Sequence, residues 1–135
     1  MSKILIIDDD VDFVRSTQAV LKEEAHTVST AHNGKDGFRE AKRQHPDLIL
    51  LDVMMTHDTE GFEIARQLKD DHETCHLPVI IITGIRKAKT LPFRFDPDED
   101  WLPVKAVLEK PVPPEQLLKA VDAALAQSGK KKKSW

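Results

Sequence analysis

The chain has 135 residues, of which 40% are hydrophobic and 32% are charged, and this size and composition are typical of one globular domain with its own core. The formal net charge is −3, and because the four lysines Lys130–Lys133 lie at the C-terminus, the rest of the chain carries −7. These values exclude two domains, and they disfavour a direct nucleic-acid binder, which would show a basic face on its folded part.

The sequence predicts neither a membrane span nor a secretion signal. No apolar stretch approaches the roughly 20 residues that a membrane span needs, and the apolar run Ile4–Ile7 is too short for the core of a signal peptide. The single cysteine, Cys75, allows no internal disulfide and no cysteine-based metal site. We therefore expect a cytoplasmic protein with no membrane partner.

Four short apolar runs predict buried strands. They lack polar alternation, which is typical of strands covered on both faces of a parallel sheet. The runs are Ile4–Ile7, Leu48–Leu51, Val79–Ile82 and Ala106–Leu108. A fifth segment, Thr27–Ala31, alternates in polarity and predicts an edge strand.

Helical periodicity predicts a helix after each of the first three strands and after the last one. Apolar residues recur on one face from about Asp10 to Glu24, after the turn signal Asn33-Gly34, and from about Gly61 to Asp71. A last helix is expected to open at Pro113-Pro114-Glu115, since proline is tolerated in a first helical turn. Strands alternating with helices form right-handed βαβ units, so we predict an α/β domain with a doubly wound parallel sheet.

The interval between Thr83 and Lys110 breaks this alternation. Three prolines and an acidic cluster make a long regular helix there improbable. We expect a proline-rich excursion over residues 85–105 that replaces or remodels the fourth helix region. It is either a mobile surface loop or a segment held on the body by its apolar residues, Leu91, Phe93, Phe95, Trp101 and Leu102.

The Lys-rich C-terminus is predicted to lie outside the domain. Residues 128–135 are polar and carry the basic run, so we expect a disordered tail after a domain of residues 1–127. The alternative is a weak electrostatic contact of this tail with nucleic acid or a membrane.

Polar side chains follow the apolar runs at the predicted carboxyl edge of the sheet, where ligands bind in open α/β folds. They are Asp8, Asp9, Asp10, Asp52, Thr83 and Lys110. Clustered carboxylates repel one another unless a cation neutralises them, and Mg²⁺ prefers such oxygen ligands. A carboxylate beside Mg²⁺ can attack phosphorus, while Lys110 neutralises a phosphoryl oxygen and Thr83 donates a hydrogen bond to another.

These segments together resemble the receiver domain of two-component response regulators. The resemblance rests on four pieces in chain order: Ile6-Ile7-Asp8-Asp9-Asp10, Leu50-Leu51-Asp52-Val53-Met54-Met55, Ile82-Thr83-Gly84 and Glu109-Lys110-Pro111-Val112. Each piece is common alone, but four in order, each ending an apolar run, are specific. The resemblance covers Lys3 to about Gln127 and implies a five-stranded, flavodoxin-like sheet with strand order 2-1-3-4-5.

The resemblance implies a phosphorylation site and a metal site. Asp52 is expected to accept the phosphoryl group and to bind Mg²⁺. Asp9 is expected to bind the ion directly, with Asp8 helping through water, and the main-chain carbonyl of Met54 is the expected third protein ligand.

The resemblance also implies a switch and a set of partners. Thr83 is the expected switch hydroxyl, Lys110 is the expected ion-pair partner of the phosphoryl group, and Asp10 is expected to cap the first helix. A histidine kinase or a phosphotransfer protein is the expected phosphodonor, and a downstream protein of unknown identity is expected to bind the phosphorylated form, with a phosphorylation-dependent dimer as a further outcome.

Three features depart from the pattern of the family. The loop Met55–Gly61 has one residue more than usual and lacks the usual proline, and Val107 stands where many receivers have an aromatic switch residue. Met54 and Ile85 occupy the two positions that govern self-dephosphorylation in the family. Because both are apolar and cannot orient an attacking water, a long-lived phosphorylated state is expected.

We therefore interpret the chain as a stand-alone receiver that is not an enzyme beyond its own phosphorylation and slow dephosphorylation. Two alternatives remain open at this point. One is a pseudo-receiver that binds a partner without phosphorylation, which the altered loops favour. The other is a Mg²⁺-dependent phosphatase with an aspartyl nucleophile, which the absence of a cap domain disfavours.

Overall fold

A computed structural model describes residues 2–52, 60–84, 106–110 and 112–133. Within these ranges the chain forms five strands and four helices. The strands are β1 (Lys3–Ile7), β2 (Thr27–Ala31), β3 (Leu48–Asp52), β4 (Val79–Gly84) and β5 (Ala106–Lys110). The helices are α1 (Val11–Glu23), α2 (Gly34–Gln44), α3 (Glu60–Asp70) and α4 (Pro114–Lys133).

The strands form one sheet in the order β2-β1-β3-β4-β5, and every neighbouring pair is parallel. This is the doubly wound α/β arrangement that the apolar runs predict, with the strand order that the family resemblance implies. β2 lies at the sheet edge, as its alternating polarity indicates. The chain changes direction across the sheet between β1 and β3, which opens a crevice at the carboxyl ends of these two strands.

Helices cover both faces of the sheet, because the apolar strands alternate their side chains between two cores. The core beneath α2 and α3 contains Leu5, Ile7, Ala31, Ala41, Ile49, Leu51, Ile64, Ala65, Leu68, Val79 and Ile81. The core beneath α1 and α4 contains Ile4, Ile6, Val14, Leu21, Leu48, Leu50, Ile80, Ile82, Leu108, Leu117, Val121 and Ala124. The strand ends between these two cores are therefore held rigidly.

α2 approaches β1 closely because Gly37 has no side chain. A Cβ atom at Gly37 would lie 2.5 Å from Cδ1 of Ile7 and 2.7 Å from both of its γ carbons. The helix begins at the cap residue Asn33, whose side-chain oxygen accepts a hydrogen bond from the Asp36 amide at 2.8 Å. Close packing and a fixed start together set the position of α2 against the sheet.

Ion pairs lie on the outer side of α2, where acidic and basic side chains alternate. They join Arg39 to Asp36 at 2.8 Å, Arg43 to Glu40 at 2.6 Å, and Lys42 to Asp71, just beyond α3, at 3.1 Å. Hydrogen bonds from Arg43 and then from Gln44 lower the pKa of Glu40 to about 2. A hydrogen bond from the Glu73 amide and one from Lys42 lower the pKa of Asp71.

The C-terminus differs from its prediction. α4 continues through residues 128–133, which the sequence analysis assigned to a disordered tail. The run Lys130–Lys133 consists of good helix formers, so the helix can continue past Gly129, although glycine itself disfavours a helix. The proline-rich excursion over residues 85–105 lies outside the described residues.

Among the described residues, no helix combines the length and the apolarity that crossing a membrane would require.

Candidate metal and phosphorylation site

The end of β1 places Asp8 inside the protein. The strand residues Ile4–Ile7 are almost fully buried, and Asp8, which follows them, is 1% exposed. The Asp8 amide donates to the carbonyl of Ala31 at 3.0 Å, which extends the pairing of β1 with β2 by one residue. A carboxylate is thus carried into the crevice by a strand that cannot shift without disrupting the core.

Asp10 links this carboxylate to the start of α1. Its side chain accepts a hydrogen bond from the Phe13 amide at 3.1 Å, as expected for the cap residue. Its own amide donates to Oδ1 of Asp8 at 2.9 Å. Asp10 therefore both caps α1 and orients the Asp8 carboxylate through its amide.

β3 brings Asp52 to the same edge of the sheet. β1 and β3 are neighbours, and Ile7 is paired with Leu51, so Asp8 and Asp52 follow at the same level. Asp52 is 4% exposed, whereas Asp9 is exposed. One oxygen from each of Asp8, Asp9 and Asp52 can be chosen so that all lie within 4.8 Å of one another.

The donor set of this cluster fits a hard divalent cation. Three carboxylates at such distances repel one another, and the repulsion is stronger where two of them are buried away from water. All three groups offer oxygen and neither nitrogen nor sulfur, which is the ligand type of Mg²⁺. The residues present therefore fit a magnesium site in which the ion would offset the repulsion.

The other predicted site residues, Thr83, Lys110 and Met54, are only partly covered by the described structure. The backbones of Thr83 and Lys110 reach the same edge, since Asp52 pairs with Ile82 and Gly84 pairs with Lys110. Their side chains are outside the described part of the structure, as is the whole of Met54. For Thr83 and Lys110 the sheet register supports the location of the backbone.

His32 is a residue of this edge that sequence reasoning missed. It follows β2 directly, and its Nδ1 lies 3.4 Å from the main-chain oxygen of Asp8. The available signal was its position, because a residue after β2 must lie at the same edge as those after the other parallel strands.

The fold and this cluster define a class: flavodoxin-like α/β proteins with an acidic cluster, able to hold a cation, at the carboxyl ends of the first and third strands. A family model described as the response regulator receiver domain matches residues 4–122. The chain belongs to the family of response regulator receiver domains. The resemblance drawn from the four sequence motifs is thereby confirmed at the level of the family.

Curated relatives differ in how much of their own length the chain matches. The protein PilH of Pseudomonas aeruginosa is 36% identical over 129 residues, which are 93% of this chain and 99% of PilH. The response regulator PleD of Caulobacter vibrioides is 45% identical over 84 residues, which are 62% of this chain but 18% of PleD. The chain thus corresponds to nearly all of one relative and to a small part of another.

Solved structures agree with the fold. A CheY-like response regulator receiver domain protein from Methanospirillum hungatei superposes with a TM-score of 0.80 at 24% identity, covering 97% of this chain and 98% of that one. The chemotaxis response regulator CheY4 of Vibrio cholerae has a TM-score of 0.74 at 23% identity, covering 92% and 98%. At these identities the likeness concerns the fold alone.

Proposed function

We propose that this protein is a phosphorylation-activated response regulator that accepts a phosphoryl group on Asp52 in a Mg²⁺-dependent reaction. The observation that carries the proposal is the convergence of Asp8, Asp9 and Asp52 at the carboxyl edge of a receiver-family sheet. The receiver unit is taken as residues 1–127, and the protein is proposed to act in the cytoplasm.

In the proposed reaction an oxygen of Asp52 attacks the phosphorus of a phosphodonor. The bond from phosphorus to the leaving group breaks, its electron pair departs with that group, and an acyl phosphate forms. Asp8, Asp9, Asp52 and the carbonyl of Met54 would hold Mg²⁺, which supplies charge neutralisation when bound. Burial of Asp8 and Asp52 supports this assignment, because a dry site strengthens each electrostatic contact.

We propose that Thr83 and Lys110 bind the phosphoryl group once it is attached to Asp52. Lys110 would pair with one phosphoryl oxygen, and the Thr83 hydroxyl would donate to another, which favours one arrangement of the adjoining surface. The register of β4 and β5 supports this role, since it brings both backbones to the edge that carries Asp52.

Receiver domains are signalling domains rather than typical enzymes, and response regulators interact with kinases or with downstream effectors. For this chain we propose that a histidine kinase or a phosphotransfer protein donates the phosphoryl group. The output would be a changed surface that includes the excursion over residues 85–105, read by a partner protein or by a second copy of the chain. Neither direct nucleic-acid binding nor membrane binding is part of the proposal.

A long lifetime of the phosphorylated form is also proposed, because Met54 and Ile85 are apolar at the positions that orient water in the family. Replacing Met54 by Asn should accelerate loss of the phosphoryl group after the donor is removed. An unchanged decay rate in both Met54→Asn and Ile85→Glu would exclude this explanation of the lifetime.

The function is tested by incubating the protein with Mg²⁺ and acetyl phosphate and measuring its intact mass. The native chain should gain one phosphoryl group, whereas Asp52→Asn and a native sample with a chelator should gain none. Asp36→Asn, a carboxylate change on the outer side of α2, serves as the matched control and should be phosphorylated normally. If the folded native chain binds Mg²⁺ and gains no mass, the pseudo-receiver interpretation replaces this proposal.

A further inference from the structure

We infer that His32 is a positioning residue: its ring donates a hydrogen bond to the main-chain carbonyl of Asp8 and so holds the acidic cluster in the geometry that binds Mg²⁺. This inference rests on the proposed function, since it concerns the same site. It adds the residue that follows the β2 edge strand to an acidic cluster otherwise built at the ends of β1 and β3.

The contact itself determines the state of the ring. Nδ1 of His32 lies 3.4 Å from the Asp8 carbonyl oxygen. A carbonyl oxygen only accepts hydrogen bonds, so the contact is a hydrogen bond only when Nδ1 carries the hydrogen. The neutral ring is therefore expected as the Nδ1–H tautomer, with Nε2 left as an acceptor.

The backbone of His32 is fixed on both sides. The preceding residue, Ala31, accepts the hydrogen bond from the Asp8 amide at 3.0 Å. The following residue, Asn33, caps α2 through the Asp36 amide at 2.8 Å. Because both neighbours are held, the backbone of His32 has a fixed position beside Asp8, and its exposed ring reaches the Asp8 carbonyl with no ion present.

The peptide that His32 contacts joins Asp8 to Asp9, the two candidate metal ligands that follow β1. The carbonyl of Asp8 belongs to the same planar peptide unit as the amide of Asp9. Holding that carbonyl restricts rotation of the plane and with it the direction in which the exposed Asp9 carboxylate projects. Asp8 is held independently by the Asp10 amide at its side chain, so Asp9 is the member of the cluster that depends most on His32.

The test compares Mg²⁺ affinity, measured by isothermal titration calorimetry, in the native chain, His32→Ala and His32→Asn. Loss of an outer hydrogen-bonding partner weakens metal binding by about tenfold, and this is the loss expected for His32→Ala. The Asn amide nitrogen is attached to Cγ as Nδ1 is, so His32→Asn should stay within about twofold of the native affinity. His76→Ala, an exposed histidine just before β4, is the matched control and should bind as the native chain does.

Urea unfolding without Mg²⁺ accompanies each titration, so that a general loss of stability is recognised. The inference is overturned if His32→Ala binds Mg²⁺ as tightly as the native chain, or if Asn fails to restore the affinity. If the native chain itself does not bind Mg²⁺, the proposed function fails instead, and the two failures are thereby distinguished.

A second measurement does not depend on the metal. Long-range ¹H–¹⁵N correlation spectra of the histidine rings at about pH 8.5, where an ordinary imidazole is neutral, report which ring nitrogen carries the hydrogen. The signal lost in His32→Ala should show the Nδ1–H tautomer, in contrast to the Nε2–H form that free imidazole side chains favour. An Nε2–H tautomer at His32 would contradict the hydrogen bond and the inference with it.

Discussion

On the outer side of α2, acidic side chains lie beside basic ones, whereas at the carboxyl ends of β1 and β3 three acidic side chains converge on one another. The first arrangement places opposite charges 2.6–3.1 Å apart in ion pairs. The second gathers oxygens of Asp8, Asp9 and Asp52 within 4.8 Å, and two of these residues are buried.

The comparison distinguishes two arrangements of charged side chains: opposite charges paired at the surface, and like charges clustered where a cation can bind. Exposed ion pairs contribute little to stability because water already solvates both partners. A buried cluster of like charges opposes folding, and such clusters occur where a cation or a function compensates the cost. The unfavourable repulsion among the carboxylates at the sheet edge therefore indicates a ligand site there.

The largest expected effect tests whether packing rather than ion pairing holds α2. Gly37→Ala should lower the free energy of unfolding by about 1–3 kcal/mol, because the new methyl group overlaps the branched side chain of Ile7. Urea unfolding followed by circular dichroism measures this. In an Ile7→Ala background the same change should destabilise the protein much less, since the three side-chain atoms that it overlaps are removed and alanine has the better helix propensity. Equal effects in both backgrounds would show that the close contact is not the cause.

The next effect tests the repulsion within the acidic cluster. Asp8→Asn keeps an oxygen for the Asp10 amide but removes one negative charge, so unfolding without Mg²⁺ should cost about 1 kcal/mol more than in the native chain. Added Mg²⁺ should stabilise the native chain and stabilise this variant less. Asp71→Asn, which loses the pairing with Lys42, should change stability in the opposite direction. A destabilised Asp8→Asn would show that the protein itself already compensates this charge.

A pH titration tests the ion pair between Glu40 and Arg43 on the outer side of α2. The pKa of Glu40 is lowered to about 2, so its stabilising contribution is present above the ordinary value of 4.5 and is lost as the pH falls from 4.5 to about 2. Carboxyl ¹³C shifts measured against pH should show this low midpoint. In Arg43→Gln the midpoint should move toward 4.5, because the first of the two hydrogen-bond donors to the carboxylate is changed. A midpoint near 4.5 in the native chain would mean that this pair does not form in solution.

The smallest effect concerns Asp36 and Arg39, which lie three residues apart on α2 with side chains 42% and 66% exposed. A double-mutant cycle with alanine at both positions should give a coupling free energy of about 0.3 kcal/mol. High salt should reduce it further. A coupling several times larger would contradict the view that these surface pairs contribute little. Because Asp36 also accepts from the Asn33 side chain, the cycle is needed to separate the pair from the cap.

Much of the fold followed from local pattern. Uninterrupted apolar runs identified the buried strands because both faces of a parallel sheet are covered. The edge position of β2 followed from its polar alternation, and the role of Asp10 followed from its place before a helix. The C-terminus was less predictable, since Ser128 and Gly129 followed by four lysines are typical of a solvated tail, although lysine is also a good helix former.

By itself, the sequence determined that carboxylates from separate strands would meet, because parallel strands end at a common edge and the motifs stand at those ends. Tertiary structure alone decided how they meet: the pairing of Ile7 with Leu51 sets Asp8 level with Asp52, and the turn into α1 buries Asp8 while leaving Asp9 exposed. It also decided that His32 reaches the carbonyl of Asp8, a contact between residues 24 positions apart. Local preferences identify strands and caps, whereas register and long-range contacts arise only when the packed sheet fixes one alignment among many.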